Sequence, residues 1–174
     1  MSEDHSEWMK SFRWMTFSFE LKAQDPLYLA SYKGSTFRGG FGQAFKKVVC
    51  ALRNQICDDC ILRERCIYSY VFHTPPPSDS RMMRKYPSAP HPFVLCPPLE
   101  ERREYLPGDR LSFRLTLIGR SIEYLPYFVY TFDQLGTRGI GKERGKYEVV
   151  NVSLLRESSK SSEPDIVYEA REVE

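Results

Sequence analysis

No run of about 18 apolar residues occurs in the 174-residue chain, so no segment reads as a transmembrane helix. A large excess of one charge is missing too. Lys and Arg number 25 against 23 Asp and Glu, a formal net charge of +2, and bulk charge therefore does not announce a nucleic-acid binder. A local basic face stays open, because the acidic residues gather toward the two ends. Histidine is scarce: His5, His73 and His91 are the only three, which leaves imidazole chemistry few places to sit. The start, MSEDHSEWMK, is acidic and polar and does not read as a signal peptide. The expectation is a cytoplasmic chain with reduced thiols and no membrane partner.

What is present is the make-up of a soluble globular domain, 41% hydrophobic, 28% charged and 14% aromatic, long enough for one core with extensions. Residues 1–11 read as a flexible tail. Met15, Phe17, Phe19 and Leu21 alternate with Thr16, Ser18 and Glu20, the period of a half-buried strand, and Asp25-Pro26 closes it. A loop from Leu27 to Lys33 follows. The stretch Gly34–Cys66 then joins a glycine-rich helix start to a cysteine cluster. Ser35 or Thr36 suits the N-cap. Phe37, Phe41, Ala44, Phe45, Val48, Val49 and Leu52 recur at three- and four-residue steps down one helix face. Gly39, Gly40 and Gly42 each cost about 1 kcal/mol relative to Ala inside a helix, so they want a reason. Close packing against a sheet is one. Close approach of a phosphate backbone to the positive helix end is the other. Arg38, Lys46 and Lys47 lie off the apolar stripe, where they face such a ligand or simply water.

Cys50, Cys57, Cys60 and Cys66 follow as C-x6-C-x2-C-x5-C. Four thiolates with a C-x2-C pair can close a tetrahedral sulfur site. A structural zinc fits, and an iron–sulfur cluster takes the same four ligands. The site would staple a connection, at about residues 50–66, that has little core of its own. Residues 74–98 carry eight prolines and read as an extended surface segment. Arg81, Arg84 and Lys85 beside Tyr86 suit a grip on a single strand, or a mobile loop. Phe93-Val94-Leu95-Cys96 is a strand candidate, with Cys96 a small hydrophobe and not a fifth ligand.

Leu111, Phe113, Leu115 and Leu117 form the clearest alternating strand. A second helix runs from about Tyr124, with Pro126 in its first turn and Gly136 as its stop. The segment GTRGIGKERGKYEVV interleaves Gly139, Gly141 and Gly145 with Arg138, Lys142, Arg144 and Lys146, and a last strand covers Tyr147–Leu154. Residues 156–174 read as a linker or disordered tail. With the knuckle set aside, the order is βαββαβ over residues 12–155, an α+β domain of the ferredoxin-like or RRM-like kind. Two helices would cover one face of an antiparallel sheet and leave the other open.

These motifs resemble a known family. GSTFRGGFGQAFKKVVC, the C-x2-C-x5-C after it, Tyr68-x-x-x-Phe72, the TPPP at Thr74, HPFVLCPP and GIGKERGKYEVVNV are similar to the CRISPR-associated RAMP proteins. The closer likeness is to the branch that processes precursor CRISPR RNA, the sixth Cas protein. The resemblance spans about residues 12–155. It implies an RRM-like unit that binds CRISPR repeat or guide RNA, with other Cas proteins as partners. It implies metal-independent cleavage by attack of a ribose 2′-OH on the adjacent phosphate, so any metal would be structural. Members generally carry two RRM-like domains in tandem, where this chain holds one. Some relatives carry His in the first helix where Gln43 stands here, so His91 and His73 become the candidate acid–base residues. Arg38, Gly39, Gly40, Lys46, Arg138, Gly139, Gly141, Lys142, Arg144 and Lys146 are the candidate RNA contacts. Three functions follow: a processing endoribonuclease or its N-terminal domain, a non-catalytic RNA-binding RAMP module, or an iron–sulfur redox or sensing protein.

Overall fold

The computed structural model describes residues 12–53, 56–74, 88–156 and 165–170. Arg81, Arg84, Lys85, Tyr86, His5 and the tail 1–11 lie outside them. Along the chain come β1 (Trp14–Ala23), β2 (Leu27–Tyr28), α1 (Gly34–Val49), β3 (Phe93–Cys96), β4 (Glu104–Tyr105), β5 (Arg110–Ile118), α2 (Leu125–Arg138), β6 (Tyr147–Leu155) and β7 (Asp165–Glu169). Short 3₁₀ turns at Cys57–Asp59 and Arg63–Arg65 and a π-helical turn at Ser69–His73 fill the connection after α1.

The main sheet has the order β3-β5-β1-β6-β7, with every neighbouring pair antiparallel. The series β1-α1-β3-β5-α2-β6 therefore makes two interleaved split β-α-β units, each helix joining two strands that have a third between them. This is the expected α+β arrangement. Period-2 alternation decides which face is covered. Phe17, Phe19 and Leu21 of β1 and Leu111, Phe113, Leu115 and Leu117 of β5 are buried. Their neighbours Thr16, Ser18, Glu20, Ser112, Arg114 and Thr116 take the other face, where Arg110 pairs with Glu20 at 2.6 Å.

Both helices pack on the apolar face through phenylalanines. Phe41 has five phenylalanine rings around it, Phe45, Phe72, Phe93, Phe128 and Phe132, at centroid distances from 4.7 to 5.9 Å. Buried Tyr147 pins α2 to β6 by donating its hydroxyl to the Phe132 carbonyl at 2.9 Å. Among the described residues no helix is long and apolar enough to cross a membrane.

Several local expectations change. The N-cap of α1 is Lys33, with no side-chain cap bond, and not Ser35 or Thr36. Gly136 does not end α2. It lies within the helix, where its bare Cα lets the Tyr147 backbone approach, and the helix ends at Gly139, whose φ of +81° suits a residue without Cβ. Leu27–Tyr28 is a short ladder to β4 and not plain loop. Within the stretch read as a tail, Asp165–Glu169 forms β7 and pairs with β6.

Lys33 is fully buried and donates from Nζ to the Glu100 carbonyl at 2.6 Å. Lys33→Ala is expected to lower stability by about 3 kcal/mol, because it removes a buried stem and orphans that carbonyl. Lys33→Met keeps the stem, so it should cost less. Denaturant unfolding of both variants separates the two contributions, and equal losses would rule out packing of the stem.

Candidate nucleic-acid interface

A concavity of about 1260 Å³ lies over α1, α2 and the start of the connection after α1. Helical spacing builds two of its sides. Tyr130, Gln134 and Arg138 stand at four-residue steps on α2, and Ser35, Gly39, Gly42 and Lys46 form a stripe of mostly small residues on α1. Tyr68, Phe72, Cys50 and Arg53 close the far end. Arg38, Lys46, Lys47, Arg53 and Arg138 all line this groove, and among the described residues no Asp or Glu does. Five cations without a carboxylate, beside two tyrosines, make a surface that attracts polyanions and offers rings for stacking.

Gly39, Gly40 and Gly42 of α1 have different reasons. A Cβ on Gly40 would meet Leu135 of α2 at 3.1 Å, so Gly40 serves helix–helix contact and not packing on a sheet. Gly42 faces Phe72 at 3.4 Å. Gly39 is exposed, lines the groove, and has nothing within 4 Å of where its Cβ would be. Among the described residues, packing does not account for Gly39. The glycines of the second basic segment, by contrast, serve backbone packing. Gly139 lies against Arg144, Gly141 against Tyr28 and Gly145 against Pro26. Of the candidate contacts, Arg38, Gly39, Lys46 and Arg138 are brought together in the groove. Gly40, Gly139, Gly141, Lys142, Arg144 and Lys146 are not among its lining residues, although Lys142, Arg144 and Lys146 are exposed on the loop that follows Arg138.

Lys46 is held at the groove's far end. Its ammonium sits 5.5 Å from the centre of the Tyr68 ring, and a hydrogen bond to the Cys57 sulfur, then the charge of Cys57, raise its pKa. Burial pushes the Tyr68 hydroxyl up, against the lowering pull of Lys46. Gln43 also lines the groove and offers no titratable group there.

The two histidines lie at the rim, near the π-helical turn. His91 stacks on Phe93 at 6.0 Å, with its Nδ1 3.4 Å from the Thr74 hydroxyl. Burial first, then the Arg38 charge, lower its pKa, which keeps the ring neutral at pH 7. The Arg38 guanidinium lies 5.2 Å over the same Phe93 ring. His73 is 4.0 Å from Asp58. Neither histidine lines the groove.

All five cysteines are free thiols. Among the described residues no group of three or more His, Cys, Asp or Glu side chains is disposed to hold a metal ion, so the expected four-cysteine knuckle is not formed as a closed ligand set. Cys50, Cys57, Cys60 and Cys66 nevertheless line one cavity of about 20 Å³. Cys96 stands apart from it, near Arg114 at 3.7 Å. Lys47, Arg53, Tyr68, Tyr130 and Gln134 join the groove beyond the candidate contacts. The four-residue spacing of Tyr130, Gln134 and Arg138 was the signal available for two of them.

Comparison with known proteins adds the family. An uncharacterized protein of Archaeoglobus fulgidus is 30% identical over 145 residues, a match that covers 80% of this chain and 48% of that protein. The chain thus spans about half the length of that relative. Among solved structures the chain is similar to one from the Csm3–Csm4 subcomplex of the type III-A CRISPR-Cas interference complex. The TM-score is 0.49 at 13% identity, over 81% of this chain and 77% of that one. The family model AF_1859_N, described as an N-terminal domain, matches residues 12–174. The chain belongs to the AF_1859_N family, as its N-terminal domain.

Proposed function

We propose that this domain is a CRISPR-associated, RAMP-like RNA-binding module, partnered by other Cas proteins, that holds the backbone of repeat or guide RNA in the groove between α1 and α2. The observation that carries the reading is the convergence of five cations around Gly39, where among the described residues no carboxylate lines the groove and nothing packs on the bare Cα. Phosphates are drawn by the cations, and a bare Cα lets a backbone approach the helix closely. The path continues past Arg138 onto Lys142, Arg144 and Lys146. The motif resemblance and the split β-α-β order support the RAMP assignment. The outward positions of β1 and β5 carry no aromatic residue apart from Trp14, so the open sheet face lacks the stacking platform of RRM readout.

Binding of a single-stranded CRISPR repeat RNA, followed by fluorescence anisotropy across salt, tests this. Affinity should fall steeply, with log K dropping by about 0.7 per phosphate contact for each tenfold rise in salt. Salt-insensitive binding, or none, contradicts the reading.

A second reading, precursor-RNA cleavage, is favoured by one observation. A neutral imidazole, His91, stands beside the Arg38 cation at the groove's rim. A base beside a cation is what 2′-OH attack on a phosphate requires. Incubation of the same RNA in EDTA should then yield one cut with a cyclic phosphate, lost in His91→Ala. His73→Ala tests the weaker candidate. Tight binding without a cut leaves the non-catalytic module.

A further inference from the structure

We propose that Cys50, Cys57, Cys60 and Cys66 hold one structural zinc ion, and that this ion fixes the wall of the basic groove formed by Cys50 and Tyr68. The coupling to the groove rests on the RNA-binding reading; the zinc itself does not.

Three elements bring the four thiols together. Cys50 directly follows α1. Cys57 opens and Cys60 caps a single 3₁₀ turn, where the Cys60 amide donates to the Cys57 carbonyl at 3.4 Å. The Cys66 carbonyl accepts from the Tyr70 amide at 2.9 Å, at the entry to the π-helical turn. Their side chains surround the cavity of about 20 Å³. They do not close on one point as placed, but one rotamer step moves a cysteine sulfur by on the order of 3 Å.

The second observation is what this connection lacks. None of the described residues from Cys50 to Tyr68 is buried, and Ile56 and Ile61 are 70% and 86% exposed. A folded segment with no core of its own needs a cross-link, and free thiols provide none as disulfides. Zinc supplies one, because binding energy at such a site is folding energy. The four thiols would release four protons to solvent and leave a site of net charge −2. Arg63 lines the cavity, so a cation already stands where that charge would develop.

Third, Cys50 and Tyr68 line both the cysteine cavity and the groove, and Lys46 sits over the Tyr68 ring. Ordering the thiols orders that wall.

Metal analysis of the purified chain should find one zinc per chain. Cys57→Ser and Cys60→Ser should lose it, and Cys96→Ser should keep it. Because those variants can fail to fold, the wild-type chain is also stripped with a chelator. Its affinity for single-stranded RNA should drop about tenfold, the scale of disordering one or two groove side chains, and zinc alone should restore it. A chain that binds no metal overturns the proposal. Iron with acid-labile sulfide and a brown colour overturns the zinc assignment in favour of an iron–sulfur protein. One zinc with unchanged RNA affinity after stripping overturns the coupling. One zinc with no RNA binding in either state upholds the zinc site and overturns the RNA reading instead.

Discussion

Replacing Arg38, Lys47 and Arg138 together with Gln is expected to weaken RNA binding about 100-fold at ~0.1 M salt and to flatten the salt dependence by about 2 in slope. Each phosphate contact on a single strand contributes roughly 0.7 to that slope, so three contacts contribute about two decades of affinity at ~0.1 M. All three side chains are exposed and line the groove, so their removal leaves the core intact, and stability should fall by no more than the ~1 kcal/mol of the Arg38–Phe93 contact. Lys46 is left in place because its ammonium also covers Tyr68. The companion triple Lys142→Gln, Arg144→Gln, Lys146→Gln lies on the loop beyond Arg138 and should weaken binding less. Equal losses in both triples would mean a diffuse electrostatic attraction and no groove. Gly39→Ala sharpens the distinction. It adds a methyl where nothing lies within 4 Å, so it should stabilise the helix by up to about 1 kcal/mol while lowering RNA affinity. If affinity is untouched, backbone approach at Gly39 is wrong.

Phe41→Ala should cost about 3–5 kcal/mol, a large share of the ~5–15 kcal/mol that holds a domain together. The Phe41 ring is fully buried and touches phenylalanines from α1, α2, β3 and the π-helical turn. Its loss opens a void that no single neighbour can fill. Thermal unfolding should fall by on the order of 10 °C. Phe41→Leu keeps most of the volume and should cost less than about half as much. A loss under about 1 kcal/mol for the alanine variant would mean that the helices do not share this core.

The sheet was largely legible because its signal is local. Leu111, Phe113, Leu115 and Leu117 alternate cleanly, and alternation alone assigns them to the covered face. α2 was legible for the same reason, with Pro126 marking its start. Its end was not. Gly136 and Gly139 are equally good stops in sequence, and only the approach of Tyr147 to Gly136 decides between them. β2 and β4 are two residues each, too short for any periodicity. β7 sits after a serine-rich stretch whose composition suggests a tail, and its order comes from pairing with β6, a non-local event.

The groove was partly legible. Arg38, Gly39, Lys46 and Arg138 were candidates from charge and glycine content, but Arg53, Tyr68 and Tyr130 enter through the way α1 and α2 cross and the cysteine-bearing connection folds back. The glycines near Arg138 look like phosphate-binding turns in sequence. In the fold, backbone contacts to Arg144, Tyr28 and Pro26 account for them.

On the proposed reading, RNA lies on the helical side of the domain, between α1 and α2. Photocrosslinking a 4-thiouridine-labelled single-stranded RNA to the protein, followed by peptide mapping, tests it directly. Crosslinks are expected within Arg38–Lys47 and at Tyr68 and Tyr130, the groove's own residues. Crosslinks confined to Trp14, Thr16 and Arg114, at outward positions of β1 and β5, would place the RNA on the open sheet and contradict the account.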